Sequence, residues 1–250
     1  MEFNRSNRIY FLDVLRGAAI LYVVLYHLLY DLEFILDWTI PFFHSVAMEA
    51  VHFFFLAVLI GVSGISTAFS RNIFRRGSML YLLGMVITLV TSLFLPENLI
   101  VFGILSFLGL MMLLYAAARP VLDRIPWWIL LAVWFVLYLI FRDFASGNTL
   151  HLLFTEWQLP EVFSKQSYLY PLGIRPPGFY SADYFPLLPW GFIFLCGTAL
   201  SKPILDRKFP AWFYHVRIPF LDFIGKHTLL IYIVHQPVLY GGLWILSRLI

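Results

Sequence analysis

Four residues in the first apolar stretch of the chain have side chains suited to acid–base chemistry. They are Asp13, Arg16, His27 and Asp31, and the residues around them favour lipid. On a helix that turns 100° per residue they fall within an arc of about 60°, whereas random placement would scatter them around the helix. Charge inside a membrane costs free energy, so such residues need a partner, a water-filled cavity or a catalytic role. The spacing therefore predicts one polar stripe that faces the interior of a helix bundle.

The spacings within this stripe predict two pairs. Asp13 lies three residues before Arg16 and can form an ion pair with it, while Asp31 lies four residues after His27 and can orient its ring or raise its basicity. Arg16 and His27 are separated by about 16 Å along a helix. Two plainer interpretations remain open: His27 as a hydrogen-bond partner between helices, and Asp13 with Arg16 as an ion pair at the membrane interface.

Two later apolar stretches also carry polar residues. Glu49 and His52 are three residues apart, so they share a helix face and can pair with each other or with His27. Solvation at the membrane interface explains Glu49 equally well. His235 and Gln236 precede a proline at mid-depth in the last apolar run. They predict the lining of a cavity or, alternatively, a structural hinge.

Further candidate residues lie at the ends of predicted spans. Asp183 stands just before the sixth apolar run, where it can contact a substrate or cap the helix that begins there. Arg71, Arg75 and Arg76 form a basic cluster after the second run. Retention of positive loops in the cytoplasm explains such a cluster, and the functional alternative is attraction of phosphates on a soluble cytoplasmic donor.

The composition requires lipid as the main solvent of the chain. Its 250 residues are 61% hydrophobic and 12% charged, with a mean hydropathy of +0.84, against roughly 45–50% apolar and about 25% charged in soluble domains. A water-soluble fold of this size could not bury so much apolar surface. The net charge of +3 does not indicate a nucleic-acid partner. Cys196 is the only cysteine, so a disulfide framework and a cysteine metal site are excluded, and we expect no metal.

Apolar runs long enough to cross roughly 30 Å of hydrocarbon predict about seven transmembrane helices. They lie near residues 9–32, 46–69, 78–95, 99–118, 127–141, 184–200 and 228–249. Internal repeats and a heptad register are absent from the sequence. We therefore expect a single domain over residues 1–250 with an all-α fold, a polytopic membrane helix bundle.

The lysines and arginines of the connections concentrate on one side of this map. That side holds Arg5, Arg8, Arg71, Arg75, Arg76, Arg119, Arg124, Lys202, Arg207, Lys208, Arg217 and Lys226. The other side holds Arg142, Lys165, Arg175 and Arg248. Because cytoplasmic loops keep the positive residues, this bias places the N-terminus inside and, for seven spans, the C-terminus outside. We expect a multi-pass protein of the inner or plasma membrane of the cell, surrounded by membrane lipid.

The fifth connection, residues 142–183, is too long for an ordinary turn between helices. It is rich in tyrosine, phenylalanine and proline. Two interpretations stay open: an ordered lid or re-entrant segment over the outer face, and an interfacial aromatic belt followed by a loop.

Three segments of the chain resemble a known family. The run Leu12-Asp13-Val14-Leu15-Arg16-Gly17, followed by His27, resembles the opening span of the transmembrane acyltransferases. These include the bacterial sugar O-acyltransferases and the heparan-α-glucosaminide N-acetyltransferase catalytic domain family. Residues 184–190, with the Pro-Leu-Leu-Pro-Trp segment, and residues 225–238, with His-Gln-Pro, are similar to the bacterial members of that second family.

The resemblance implies transfer of an acyl group, usually acetyl, from a cytoplasmic acyl-CoA to an acceptor reached from the opposite face. The acceptor class it implies is a carbohydrate or a lipid-linked molecule, on a hydroxyl or an amine. His27 matches the catalytic histidine of the family, and Arg16 matches the arginine associated with the donor side. Larger family members carry more spans than seven. We therefore expect any acceptor site built by extra helices to be missing here or to come from a second protomer of a homo-oligomer.

These considerations lead to a leading hypothesis of acyl-CoA-dependent acyltransfer within the membrane. His27, kept neutral by burial, would act as general base or as a nucleophile that forms an acyl-imidazole. Asp31 or Glu49 would orient it, and Asp183 would contact the acceptor. The donor acetyl-CoA, or another acyl-CoA, would be held by Asp13, Arg16, Arg75, Arg76, His235 and Gln236. The alternatives are a proton-coupled transporter or flippase that uses the same polar residues as a relay, and a non-catalytic membrane subunit.

Overall fold

The architecture is almost entirely helical. The computed structural model describes residues 8–152 and 155–249, and Arg5, counted above among the positive residues, lies outside the described residues. Within that range the helices are α1 (Tyr10–Leu36), α2 (Val46–Ala68), α3 (Ile73–Phe94), α4 (Ile104–Leu122), α5 (Trp127–Phe141), α6 (Phe144–Gly147), α7 (Glu161–Ser164), α8 (Leu187–Leu205), α9 (Ala211–His215), α10 (Pro219–Lys226) and α11 (Thr228–Ser247). Short 3₁₀ helices cover Pro41–His44, Pro96–Asn98 and Ser167–Leu172. The all-α fold class is confirmed.

Six helices in the described part of the chain are long and apolar enough to cross a membrane. They are α1, α2, α3, α4, α8 and α11. The seventh predicted span forms helix α5 with the predicted bounds, but it has only 15 residues. At 1.5 Å per residue it is about 22 Å long, short of the roughly 30 Å of hydrocarbon in a bilayer. The described residues thus hold six full-length candidates and one shorter apolar helix at the position of the remaining predicted span. The orientation of the chain stays a prediction.

Side-chain caps mark where two of these helices begin. The Oγ of Ser45 accepts a hydrogen bond from the backbone N–H of Met48 (3.2 Å) at the start of α2. Asn72 does the same for the N–H of Arg75 (3.1 Å) at the start of α3. Because the first N–H groups of a helix have no partner within it, such caps fix the residue at which each helix starts.

The fifth connection contains regular structure. Strands β1 (Thr149–Leu152) and β2 (Thr155–Gln158) form an antiparallel hairpin between α6 and α7. Strand β1 packs against α5 and α6, and the 3₁₀ helix that follows α7 packs against α8. The connection is thus an ordered segment packed on neighbouring helices. Its role as a lid or re-entrant element stays a prediction.

The described residues divide into two compact units. Unit 1 contains residues 8–62 and 207–249, and unit 2 contains residues 63–206. In unit 1, α1 packs against α9, α10 and α11. In unit 2, α3 packs against α4, and α8 packs against α4 and α5. A single domain over residues 1–250 stays a prediction.

Helices α1 and α10 of unit 1 approach each other closely at two glycines. Gly17 faces the backbone of Leu221, and Gly225 faces the backbone of Asp13. At both positions a Cβ atom would overlap a backbone carbonyl oxygen of the other helix. Small residues allow such close approach of helix backbones in membrane proteins. The crossing places the polar residues of α10 beside those at the start of α1.

Candidate active site

Histidines from three helices of unit 1 contribute to one polar and aromatic cluster. The ring centroids of His27 (α1) and His235 (α11) are 5.1 Å apart, with their planes inclined by 56°. The ring of His52 (α2) stacks on Tyr26 of α1 at a centroid distance of 3.8 Å. Tyr26 in turn lies edge-on to His27, at 6.1 Å. His27 is half-buried, so the predicted polar stripe of α1 does face the interior of the unit.

The position of one proton on His235 follows from its hydrogen bond. Its Nδ1 lies 2.7 Å from the carbonyl oxygen of Tyr232. A carbonyl oxygen can only accept, so we infer that Nδ1 carries the hydrogen and that Nε2 of the neutral ring presents a lone pair. The residue is only 8% exposed. Its Nε2 is buried and has no hydrogen-bond partner among residues 8–152 and 155–249.

The buried carboxylate of Asp31 pairs with the partner helix. Asp31 is 1% exposed, and both of its oxygens accept hydrogen bonds from Nε2 of Gln236, each at 3.1 Å. The hydrogen bonds of Asp31 thus run to Gln236, and its predicted role in orienting His27 or raising its basicity stays a prediction. A carboxylate in an apolar interior requires donors, and it finds them on α11, one helical turn along α1 from the contact between His27 and His235.

Three buried polar atoms of this cluster lack a partner within the described part of the chain. They are Nδ1 of His52, Nε2 of His235 and Oε1 of Gln236. Buried polar atoms in folded proteins are nearly always hydrogen-bonded. A substrate that carries N–H or O–H groups would satisfy the acceptors among them.

Glu49 does not take the role predicted for it. It lies in the first turn of α2 and is exposed. Its carboxylate makes no hydrogen bond or ion pair with any residue that the structure describes, and His52 turns its ring toward Tyr26 instead. A carboxylate in the first turn of a helix is stabilised by the helix dipole. This explains Glu49 without a catalytic partner.

The predicted ion pair between Asp13 and Arg16 is present at the start of α1. Asp13 is 4% exposed. It accepts hydrogen bonds from Nη1 of Arg16 at 3.1 Å and from Nε of Arg8 at 2.7 Å. The hydrogen bond to the Asp13 carboxylate raises the pKa of Arg8 above its usual value. The pair is thus one carboxylate held between two guanidinium groups.

A matching group lies on α10 and was missed from the sequence. Asp222 is 2% exposed, and its Oδ2 lies 2.7 Å from Nζ of Lys226 and 3.4 Å from Nε of Arg217. The guanidinium of Arg217 lies over the ring of Tyr10, 4.5 Å from its centroid. The i, i+4 spacing of Asp222 and Lys226 was a readable signal, but the segment was interpreted as a connection between spans. Each buried carboxylate has two cations, so this end of unit 1 carries an excess of positive charge.

The remaining predicted residues lie in unit 2. Arg75 and Arg76 are exposed in the first turn of α3. Asp183 accepts a hydrogen bond from the backbone N–H of Ile104 at 3.2 Å, at the beginning of α4. The carboxylate therefore caps α4 and not α8, the helix that follows it in sequence. Because the first N–H groups of a helix have no partner within it, the hydrogen bond to the start of α4 explains the position of Asp183 without a substrate.

Unit 2 also contains a cleft of about 340 Å³. Arg119, Trp127 and Lys202 lie on its wall, together with the buried residues Tyr115 and Ser201. Its volume is at the lower end of the range for small-molecule sites, about 300–1,000 Å³. Asp123 also lies on its wall and forms an ion pair with Arg119 at 3.2 Å, so Lys202 supplies the remaining positive charge of the cleft.

The helices and the cluster define a polytopic helical membrane protein with two imidazole rings in contact within unit 1. The family model described as "Heparan-alpha-glucosaminide N-acetyltransferase, catalytic" matches residues 8–237, and the chain belongs to this family. The matched range includes His27, His235 and Gln236. Searches of the curated proteins and of the solved structures gave no match. The family assignment indicates a transmembrane acetyltransferase.

Proposed function

We propose that this protein transfers an acetyl group from acetyl-CoA to an amine or hydroxyl acceptor within the membrane. The family description names an α-glucosaminide N-acetyltransferase, so an amino sugar is the first acceptor class to test. A carbohydrate hydroxyl or a lipid-linked sugar is the next. The family membership supports the reaction type, and the buried cluster of unit 1 supports its location.

His27 would act as the general base. It removes the proton from the attacking amine or hydroxyl as the new C–N or C–O bond forms at the thioester carbonyl. The C–S bond then breaks, the CoA sulfur leaves with the electron pair, and the proton held by His27 passes to that sulfur. The products are the acetylated acceptor and free CoA thiol, and the imidazole returns to its neutral form.

The cations at the start of α1 would bind the phosphates of the donor. Arg8 and Arg16, with Arg217 and Lys226 of the neighbouring segment, give this end a surplus of charge that suits phosphate oxygens. Arg16 precedes His27 by about 16 Å along the helix. An extended pantetheine arm would then deliver its thioester near the histidine.

One observation carries the proposal. A half-buried histidine lies against a second histidine whose Nε2 is buried and unpartnered, and a strongly basic group lies further along the same helix. Strongly polar residues inside a membrane bundle are costly, and they mark functional sites by default.

The test uses purified protein in proteoliposomes with acetyl-labelled acetyl-CoA and methyl α-glucosaminide as the acceptor. We expect labelled N-acetyl product and an equal amount of CoA thiol. His27→Ala should lower the rate by about 10²- to 10⁴-fold, the usual contribution of a general base. His227→Ala is the matched control, because His227 is exposed and its Nδ1 donates a hydrogen bond to the backbone carbonyl oxygen of Phe223 at 2.8 Å.

The alternative outcomes separate the rival functions. Undiminished transfer by His27→Ala would end the role of His27. Label trapped on His27 would make it a nucleophile and not a base. Proton flux that depends on an added sugar, without any need for acetyl-CoA, would favour the transporter.

A further inference from the structure

His235 is the ionisable residue of α11 that contacts the ring of His27. The two rings are 5.1 Å apart between centroids. At this separation two ring nitrogens that faced each other would come within hydrogen-bond distance, and in the present orientation Nε2 of His235 makes no hydrogen bond to the described residues. His235 is more than nine-tenths buried, at 8% exposure. Its Nδ1 is committed to the carbonyl oxygen of Tyr232, and only Nε2 remains to meet a partner.

We propose that His235 is a positioning residue for His27. A small rotation of the His27 ring would bring one of its N–H groups to Nε2 of His235, which is without a partner among the described residues. The hydrogen bond formed in this way would fix the tautomer of His27 and leave the opposite nitrogen as the base. This inference rests on the proposed function of His27. It assigns to an imidazole the orienting role that carboxylates have beside many catalytic histidines.

The two acidic residues considered for this role differ from His235 in their surroundings. Asp31 gives both oxygens to Gln236, and Glu49 is exposed at the start of α2. The hydrogen bonds between Asp31 and Gln236 also help to position the two histidines. They tie α1 to α11 one turn from His27, and Gln236 is the neighbour of His235, so they fix the register in which the two rings meet.

The hydrogen bond to His235 would strengthen during the reaction. When His27 takes the proton of the acceptor it becomes an imidazolium, and its N–H toward His235 becomes a charge-assisted donor. The bond is then stronger in the transition state than in the ground state, which is the condition for an effect on kcat. After the C–S bond breaks, the imidazolium returns the acceptor's proton to the CoA sulfur, and the bond to His235 weakens again. His235 neither gains nor loses a proton in this cycle.

The test compares two substitutions of His235, of which one keeps a hydrogen-bond acceptor at the position of Nε2 and the other does not. His235→Phe keeps an aromatic ring but has no acceptor, whereas the amide oxygen of His235→Gln reaches the position of Nε2. We expect His235→Phe to lower kcat about 10- to 100-fold, the value of one hydrogen bond to a charged group, with an unchanged KM for acetyl-CoA. His235→Gln should retain most of the activity, and the control His227→Phe should match the wild type.

A merely structural role predicts a different pattern. If His235 only fills space, His235→Phe will be as active as the wild type and His235→Gln the poorer variant, and this result would overturn the inference. If His235→Phe does not fold, His235→Asn replaces it, because its shorter amide cannot reach the position of Nε2. Equal activity of the Asn and Gln variants would then count against the proposal.

Nuclear magnetic resonance on ¹⁵N-histidine-labelled protein in lipid separates this inference from the proposed function. We expect a single tautomer of His27 in the wild type and a mixture in His235→Phe or His235→Asn. An unchanged His27 spectrum would overturn the pairing whatever the activity. Full acetyl transfer by His27→Ala, together with spectra of the wild type that show the pairing, would instead refute the proposed role of His27 alone.

Discussion

Removal of the Gln236 side chain should expose how strongly α1 depends on α11. Asp31 is 1% exposed, and Nε2 of Gln236 donates a hydrogen bond to each of its two oxygens at 3.1 Å. Gln236→Ala removes both and leaves a carboxylate in an apolar interior. A hydrogen bond to a charged group contributes about 1.5–3 kcal/mol. With both oxygens affected, we expect a loss near the upper end, about 3 kcal/mol, or roughly a 150-fold change in the unfolding equilibrium.

A double-mutant cycle isolates this interaction. The cycle compares Asp31→Leu, Gln236→Leu and the variant that carries both substitutions. The double variant removes the buried polar groups together, and replacement of both partners by apolar residues is often close to neutral. The double variant should therefore be more stable than Gln236→Leu. The coupling energy expected between the two positions is about 2 kcal/mol, within the range for residues in direct contact.

Reversible unfolding by dodecyl sulfate in mixed micelles, followed by tryptophan fluorescence, measures these free energies. Val238→Ala serves as a control on the same helix, since Val238 is exposed and takes no part in the pair. A change below about 0.5 kcal/mol in Gln236→Ala, the size of an ordinary surface substitution, would refute the reasoning. Strict additivity in the double variant would refute it as well.

Three other substitutions test separate parts of the structure. Gly225→Leu places a side chain against the backbone of Asp13, so we expect loss of the monodisperse peak in detergent gel filtration. A normal peak with an unchanged melting temperature would contradict the close crossing of α1 and α10. Arg16→Ala should raise the KM for acetyl-CoA about tenfold, because one charged contact to phosphate is lost, with little change in kcat. A lower kcat with an unchanged KM would place Arg16 outside the donor site. Tyr184→Phe removes the hydrogen bond from its hydroxyl to the carbonyl oxygen of Tyr170 and should cost about 1 kcal/mol in thermal unfolding, whereas an unchanged melting temperature would show that this bond contributes nothing.

The membrane helices were predictable because length and hydropathy are local properties. The bounds of α5 agree with the sequence prediction at both ends, and α2 starts at the predicted residue, Val46. Hydropathy does not report how far a helix reaches, so α5 was counted as a full span. The segment between α8 and α11 was treated as a connection because its apolar runs are short. One of these runs forms the amphipathic helix α10, and the contact made by its apolar face is known only from its packing against α1.

The chemistry of the site was only partly predictable for a similar reason. Spacing on one helix identified the pair of Asp13 and Arg16 correctly. It could not identify the partner of Asp31, because Gln236 lies 205 residues later in the chain. Asp183 shows the same limit, since the helix it caps is α4, 79 residues before it. Contacts between distant segments depend on helix packing, which the periodicity of a single helix does not contain.

A structure of the protein in lipid with a thioether analogue of acetyl-CoA tests the central claim most directly. The account predicts the phosphates of the analogue at Arg16 and its sulfur within contact distance of His27, with the ring of His235 on the opposite side of that histidine. Binding of the analogue in the cleft lined by Arg119 and Lys202, with no contact to His27, would contradict it.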